Sequence, residues 1–493
     1  MDKKSSEDLG QAEITNRAPS IGKGSIIDAD DRRLRAQGHK AELERSFSWL
    51  GALALAYSIS NSWLTYASSF GLVLIYGGGV TTLFALLIAA AAQWIVFLGL
   101  AELCSAFPSS GGQYHFTYII ASPKTRNLGA YVTGSINILA WWITTCSGLI
   151  YTAISAFGCA AAWFPDFEQQ RYQVYLCYLG ITVLSLIPIY TIKQRYLDFM
   201  TESTTGFSLI GMVLTISVCL GMADGDYAPG TIILENRGIS GWNAGTGWLL
   251  SIAAALYWAM GVVIVIPWTV AMLFSIKDMQ AVQSSFLPSF EVFYQATGSK
   301  AAATGLQAYL TFLYYTCIPS QWVTCSRITW AFARDQGLPF AEYWQHIDPK
   351  RGIPWRTTLL SAAFCAVYGL IYVASTTAFN SIINATCLML NLSYVIPQGV
   401  LLTQGRDKLP RRAFSLGKLG YAVNLYSVVF MIVIGVVFCL PQTNPTTAGS
   451  MNYNAPVIVG LFTIVCLLWI ERRSKFNGPH IDWDLLNEAN EEE

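Results

Sequence analysis

Four polar residues occupy five positions, Ser58, Ser60, Asn61 and Ser62, between the apolar stretch Gly51-Ala-Leu-Ala-Leu-Ala-Tyr57 and Trp63-Leu-Thr-Tyr66. Serine and asparagine compete with the helix by bonding to nearby backbone. A break in a helix inside a membrane frees N–H and C=O groups and half-helix ends, which bind solute or ion. The same residues serve elsewhere as hydrogen-bonding glue between helices. Four in five is dense enough that the binding reading is preferred, with Trp63 included.

Charge is scarce in the apolar runs. Glu102 lies in the last turns of one run, Asp198 and Glu202 open another, and Arg327 stands late in a third. Ionisable residues in such places are functional suspects. All four fall near the run ends, so gating or structural roles fit them better than solute contact. The stretch Ala331-Phe-Ala-Arg-Asp-Gln-Gly-Leu-Pro339 adds Arg334 and Asp335 at another mouth. No carboxylate is left near mid-membrane, so a cationic solute would have to rest on aromatic faces, at ~0.5–2 kcal/mol per contact. The aromatic candidates are Trp63, Trp141, Trp142, Tyr257, Trp258, Tyr314 and Tyr315. Trp and Tyr also line membrane interfaces and fill cores, which is the competing reading for each.

Enzyme chemistry finds no support. The four histidines, His39, His115, His346 and His480, lie outside the apolar runs, and no Gly-x-x-x-x-Gly-Lys-[Ser/Thr] loop for ATP occurs. The 11 cysteines sit in or beside apolar runs without metal-ligand spacing and read as small buried hydrophobes. No metal, cofactor or catalytic residue is expected.

The elements that must position these residues are membrane helices. Of 493 residues, 53% are hydrophobic and 12% charged, and 30 basic residues balance 30 acidic ones, which gives nucleic acid nothing to recognise. The apolar residues come in continuous runs of about twenty, enough to cross ~30 Å of hydrocarbon as helices. Runs fall at 47–70, 80–105, 128–163, 173–192, 199–222, 247–275, 303–330, 357–375, 378–403, 420–440 and 455–470. They form one transmembrane domain over 46–475, flanked by a disordered cytoplasmic tail over 1–45 and a cytoplasmic tail over 476–493. The N-terminal tail lacks a signal-peptide core. Basic clusters at Arg32–Arg45, Lys124–Arg126, Lys193–Arg195, Arg334–Arg356, Arg406–Lys418 and Arg472–Lys475 place those loops and both termini in the cytoplasm.

That orientation requires an even number of crossings, and the runs number eleven. The conflict sits at 247–275, whose flanks both read as external. Its 29 residues span about 43 Å as helix, enough for one crossing but not two. Two arrangements restore parity: a re-entrant hairpin bent near Gly261 and Pro267, or a helical pair of which one member is missing. The second is the preferred expectation.

Ala101-Glu-Leu103, Pro108-Ser-Ser-Gly-Gly-Gln-Tyr-His115 and Ala121-Ser-Pro123 resemble the amino acid–polyamine–organocation superfamily, in its fungal amino acid/choline permease branch. More specific to choline-permease-like members are Phe293-Tyr-Gln-Ala-Thr-Gly-Ser299, Cys317-Ile-Pro-Ser-Gln-Trp-Val323, Trp330-Ala-Phe-Ala-Arg-Asp-Gln-Gly-Leu-Pro339 and Ala374-Ser-Thr-Thr-Ala-Phe-Asn-Ser381. The resemblance covers about 47–475. It implies an all-α fold of twelve helices, a leucine-transporter-type five-plus-five inverted repeat with two further helices. It also implies proton-coupled or facilitated uptake of amino acids, γ-aminobutyrate or choline across the plasma membrane, with a solute site that pairs Ser58–Trp63 with Tyr257–Trp258. One departure is visible. Leu256-Tyr-Trp-Ala-Met-Gly261 runs directly into Val262-Val-Ile-Val-Ile-Pro-Trp268, where family members have the acidic and His-containing second half of helix six. About one helix is expected to be lacking at 261–262. The alternative function that follows is a non-transporting nutrient sensor or interaction protein, or an inactive splice or gene-model variant of such a transporter.

Overall fold

The structure is a computed structural model describing residues 48–164, 166, 168–191, 196–256, 261–348, 352–410, 412–447, 451–476 and 478–479. The tail before residue 48 and all of 480–493 therefore lie outside the described residues, as do Tyr257 and Trp258.

Helices account for all regular structure among the described residues. The first, α1 (Trp49–Ser60), is capped by Ser48, whose side chain accepts from Gly51 N–H. Asp198 accepts from Ser48 N–H at 2.9 Å, so this carboxylate sits at the positive end of α1. α1 stops at Asn61, where the chain enters the left-handed region (φ 36°, ψ 63°), and α2 (Ser62–Ala106) starts at once. α2 is 45 residues long and is broken at Gly77 and Gly78. Tyr66 OH reaches the Thr82 carbonyl, sixteen residues on, whereas a straight helix would separate those positions by about 24 Å. The chain thus reverses at the glycines with almost no loop. Gly78 has φ +69°, and a Cβ there would come 2.7 Å from the Arg237 amide, so only glycine fits.

The remainder runs α3 (Gln113–Ile120), α4 (Arg126–Trp163), α5 (Arg171–Thr191), α6 (Leu197–Met222), α7 (Ala244–Leu256), α8 (Val262–Phe274), α9 (Met279–Ser284), α10 (Pro288–Thr297) and α11 (Lys300–Arg334). These are followed by α12 (Ala341–Trp344), α13 (Trp355–Ala374), α14 (Thr376–Gln404), α15 (Leu419–Val437) and α16 (Asn454–Arg472). Eight stretches are long and apolar enough to cross a membrane. The first of them, Trp49–Ala106, holds two crossings because of its reversal. With the more polar 35-residue α11 added, ten crossings result among the described residues.

The segment that broke the parity count is resolved by α7 and α8. At its start, Trp242 Nε1 donates to the Pro441 carbonyl and Asn444 N–H to the Ser240 carbonyl. At its finish, Ala228 N–H bonds the Phe274 carbonyl, and residues 230–233 also touch Gly79 at the α2 reversal. Both ends therefore lie on one side of the molecule, while Gly261 between them meets Ser62 at the α1–α2 break. Each arm has 13 residues, about 20 Å of helix, against ~30 Å of hydrocarbon. The described arms thus enter and leave on one side, as a re-entrant arrangement requires, and their half-length is compatible with the preferred expectation that about one helix is lacking at 261–262. The second arm begins at Val262, and Pro267 is carried inside α8 without ending it.

Two large apolar clusters make up most of the core. One joins α2, the hairpin arms, α10 and α11; the other joins α4, α5, α11 and α13. α11 belongs to both.

Candidate functional site

Asn61 fixes the break between α1 and α2. Its Oδ1 accepts from Ser208 Oγ of α6 at 2.6 Å, and its Nδ2 donates to Cys317 Sγ of α11 at 3.2 Å. Trp63 Nε1 donates to the same Ser208 hydroxyl at 2.8 Å, and Ser58 Oγ donates to Ser320 Oγ at 2.9 Å. Side chains bond carbonyls on both sides of the break. Thr65 Oγ1 donates to Ser60 O (2.7 Å) and Asn61 O (2.9 Å), Gln321 Nε2 donates to Ile59 O (3.3 Å), and Tyr314 OH donates to Leu64 O (2.8 Å). One buried donor is left over: Ser62 Oγ has no hydrogen-bond partner. A Cβ on Gly261 would come 2.6 Å from that oxygen, so the hairpin turn presses directly on the break.

Four helix ends meet there. The C-terminal ends of α1 and α7 bring carbonyls and partial negative charge; the N-terminal ends of α2 and α8 bring N–H groups and partial positive charge. Neither N-terminus carries a side-chain cap.

A cavity of about 260 Å³ opens beside this junction. Ile59, Ser60 and Thr65 form one wall, Leu256 closes the hairpin side, and Trp141, Thr144 and Tyr151 of α4 face Gln321 and Thr324 of α11. Gln93, Phe97, Asn391 and Tyr394 complete it. None of the described lining residues is charged. Gln93 Nε2 donates to Asn391 Oδ1 at 2.8 Å, which leaves Gln93 Oε1, like Gln321 Oε1, buried without a donor. Side-chain amides and aromatic faces suit an ammonium group or other hydrogen-bond donor. A second cavity, about 310 Å³, is lined by Ser68, Ser69, Ser155, Gln307 and Tyr314, and Tyr151 and Cys387 line both.

The candidates from sequence are thus distributed unequally. Ser60 and Trp141 line the first cavity and Tyr314 the second. Ser58, Asn61 and Ser62 are buried supports of the break. Trp63 turns away from the cavity and packs on Trp268 at 5.9 Å. Trp142 bonds Thr329 and packs near Phe364, and Tyr315 reaches the Leu184 carbonyl of α5; neither lines either of these two cavities. Gln93, Gln321, Asn391, Tyr151 and Tyr394 were missed. Uncharged amides inside otherwise apolar runs were the available signal, since a membrane helix carries such groups only where they find partners.

The gating candidates fall at the end of the molecule that bears the basic clusters. Glu102 is buried and receives Arg406 Nη2 on both oxygens at 2.6 Å, Arg412 Nη2 at 2.6 Å and Leu416 N–H at 3.0 Å. It ties α2 to the 405–418 loop. Asp335 receives Tyr114 OH at 2.8 Å and His115 Nε2 at 2.7 Å, with Arg334 Nε at 3.3 Å. Arg327 is half-buried about two turns before this cluster on α11.

Fold and site together define a polytopic all-helical membrane protein with a solute-sized cavity at a broken helix. Residues 47–259 and 244–463 match the sequence model of the amino acid permease family, and the chain belongs to that family. The two matched pieces overlap at 244–259, so the chain does not run continuously through the family pattern at the hairpin. It is 27% identical to the choline transporter of Saccharomyces cerevisiae over 95% of this chain and 87% of that one. To the GABA-specific permease of the same yeast it is 26% identical, over 96% and 92%. To a swainsonine transporter of Arthroderma benhamiae it is 25% identical, over 91% and 95%. Among solved structures, a mutant of the manganese transporter of Eremococcus coleocola superposes with TM-score 0.53 over 87% of this chain and 94% of that one, at 13% identity. That likeness speaks for the fold alone.

Proposed function

We propose that the chain is a secondary transporter, not an enzyme, for a small amine-bearing solute: an amino acid, γ-aminobutyrate or choline. Its site would be the cavity beside the α1–α2 break, and its place the plasma membrane. The observation that carries this reading is the uncharged cavity lined by the amides of Gln93 and Gln321 and the rings of Trp141 and Tyr151. Carbonyl oxygens and ring faces stabilise an ammonium group without a counter-charge. If the solute also bears a carboxylate, the N-terminal amides of α2 and α8 and the Ser62 hydroxyl are the donors available to it. Choline needs none of these, which separates the two classes. Uptake is either proton-coupled or facilitative.

The test is uptake of labelled choline, γ-aminobutyrate and neutral amino acids into proteoliposomes holding the purified chain. Saturable uptake of one of them, lost in Gln321→Leu and Trp141→Ala, is expected. Correctly inserted protein that moves none of the three would refute the proposal.

A second reading is favoured by one specific observation. The hairpin arms are too short to cross, and the family pattern is interrupted at the same residues. A chain that keeps the fold but has lost half of the helix-six site would sense or bind solute without moving it. Binding without transport in the same proteoliposomes would select it.

A further inference from the structure

His115 is a buried histidine on α3, fully enclosed, and the apolar cavity has no use for it. Its surroundings are specific. Nε2 lies 2.7 Å from Asp335 Oδ2, and Nδ1 is bonded to Ser109 Oγ. A carboxylate only accepts, so in the neutral ring Nε2 carries the proton and Ser109 donates to Nδ1. Asp335 in turn takes Tyr114 OH at 2.8 Å and Arg334 Nε at 3.3 Å, and the Arg334 guanidinium lies 4.9 Å from the Trp330 ring centre. The other faces of the cluster are rings: Phe332 packs edge-on to Tyr114, and Tyr131 and Phe476 stand behind it. On that side Arg472 and Glu471 are paired with each other at 3.0 Å.

The two partners belong to different parts of the molecule. His115 follows α2 by a short turn, and α2 supplies Gln93 and Phe97 to the cavity. Asp335 ends α11, the helix that supplies Gln321 and Thr324. The fourteen residues from Gln321 to Asp335 put the pair about 21 Å along α11 from the cavity, at the basic end. We propose that His115 and Asp335 form a proton-binding site that latches α3, which follows α2, to the end of α11 at the basic end of the molecule, so that binding a proton loosens the latch. The proposal takes that cavity as the transport site.

The sign follows from burial. Desolvation holds the His115 imidazole below its ordinary value, the Asp335 carboxylate offsetting this in part. Parted and hydrated, the ring would return to about 6.5. Protons therefore bind the parted state more tightly. The latch is at full strength above about pH 6.5 and weakens as the pH falls from there towards the lowered value. Each unit of difference allows up to about a tenfold change in the ratio of parted to latched molecules.

The experiment uses the full chain in nanodiscs, with Cys104→Ser and Cys466→Ser and spin labels on Ser110→Cys and Glu342→Cys, both exposed positions flanking the pair. Distances are measured by pulsed electron resonance between about pH 8 and pH 5.5, the range in which a histidine titrates. A longer-distance population that grows several-fold on acidification is expected. In His115→Gln, which can still donate to Asp335 but does not titrate, the distances should not change with pH. An unchanging distance in the parent, or the same pH response in His115→Gln, would overturn the proposal. Uptake by the same protein is measured in parallel. A pH-dependent distance without uptake refutes the transport reading and leaves the latch standing; uptake with a fixed distance does the reverse.

Discussion

Replacing Glu102 by glutamine tests how the basic end is held together. The glutamate side chain is 1% exposed, and those of Arg406 and Arg412 are 6% and 12% exposed. Glutamine keeps the shape and still offers an oxygen to Leu416 N–H, so the change removes charge and little else. Arg406 then becomes a buried guanidinium with no carboxylate, and its Nη1 already lacks a partner. Breaking one side of a buried pair typically costs about 3–5 kcal/mol, because the remaining charge stays desolvated. An exposed pair would lose only about 0–1 kcal/mol. The structure therefore forecasts a loss in the upper range, measured as unfolding of purified protein in detergent by heat or denaturant. A double variant, Glu102→Gln with Arg406→Met, removes the stranded charge and should be less destabilised than Glu102→Gln alone. A loss under about 1 kcal/mol for Glu102→Gln, or a double variant worse than the sum of the singles, would refute the reasoning.

Three further outcomes are expected. Asn61→Ala loses the bonds to Ser208 and Cys317 and puts alanine in a left-handed conformation that costs about 1–2 kcal/mol, and Trp63→Ala empties a fully buried site. Both should cut uptake far more than Trp469→Ala in α16; equal effects would move the site. Tags on both termini should be protected on intact cells, since both ends carry the basic clusters, and an accessible C-terminus would invert the helices after the hairpin. Inserting about 20–30 residues of helix at Gly261 should raise surface delivery, because that length supplies full crossings in place of two half-length arms. Normal surface delivery of the unaltered chain would mark the short hairpin as a working part of the protein.

The broken first helix was legible because its signal is local. Ser58 to Ser62 are poor helix formers in an apolar run, and the chain does leave the helix at Asn61. Glu102, Arg334 and Asp335 were legible as end-of-helix charges, and each is found in an ion pair or a hydrogen bond at the basic end. The aromatic residues were not. Indoles and phenols have the same composition whether they line a cavity, as Trp141 does, or bond a neighbour, as Trp142 does with Thr329. That choice depends on which face of a helix meets which partner. The hairpin lay between the two. Counting charges showed that 247–275 must begin and end on one side, while its length gave no sign that Leu256 and Val262 would end two short helices.

The reversal at Gly77 and Gly78 has a consequence for how the protein is made. With no loop between its two halves, α2 offers nothing to hold outside the membrane while the second half is still being synthesised. The reversal is also fastened to residues 232–240, which are translated about 150 positions later. The two halves must therefore leave the translocon together as a helical pair, and the glycine corner must wait, unsupported, for its seat to arrive. Conditions that slow synthesis between residues 106 and 240 would lengthen that wait and expose the nascent chain to quality control at this corner before any other.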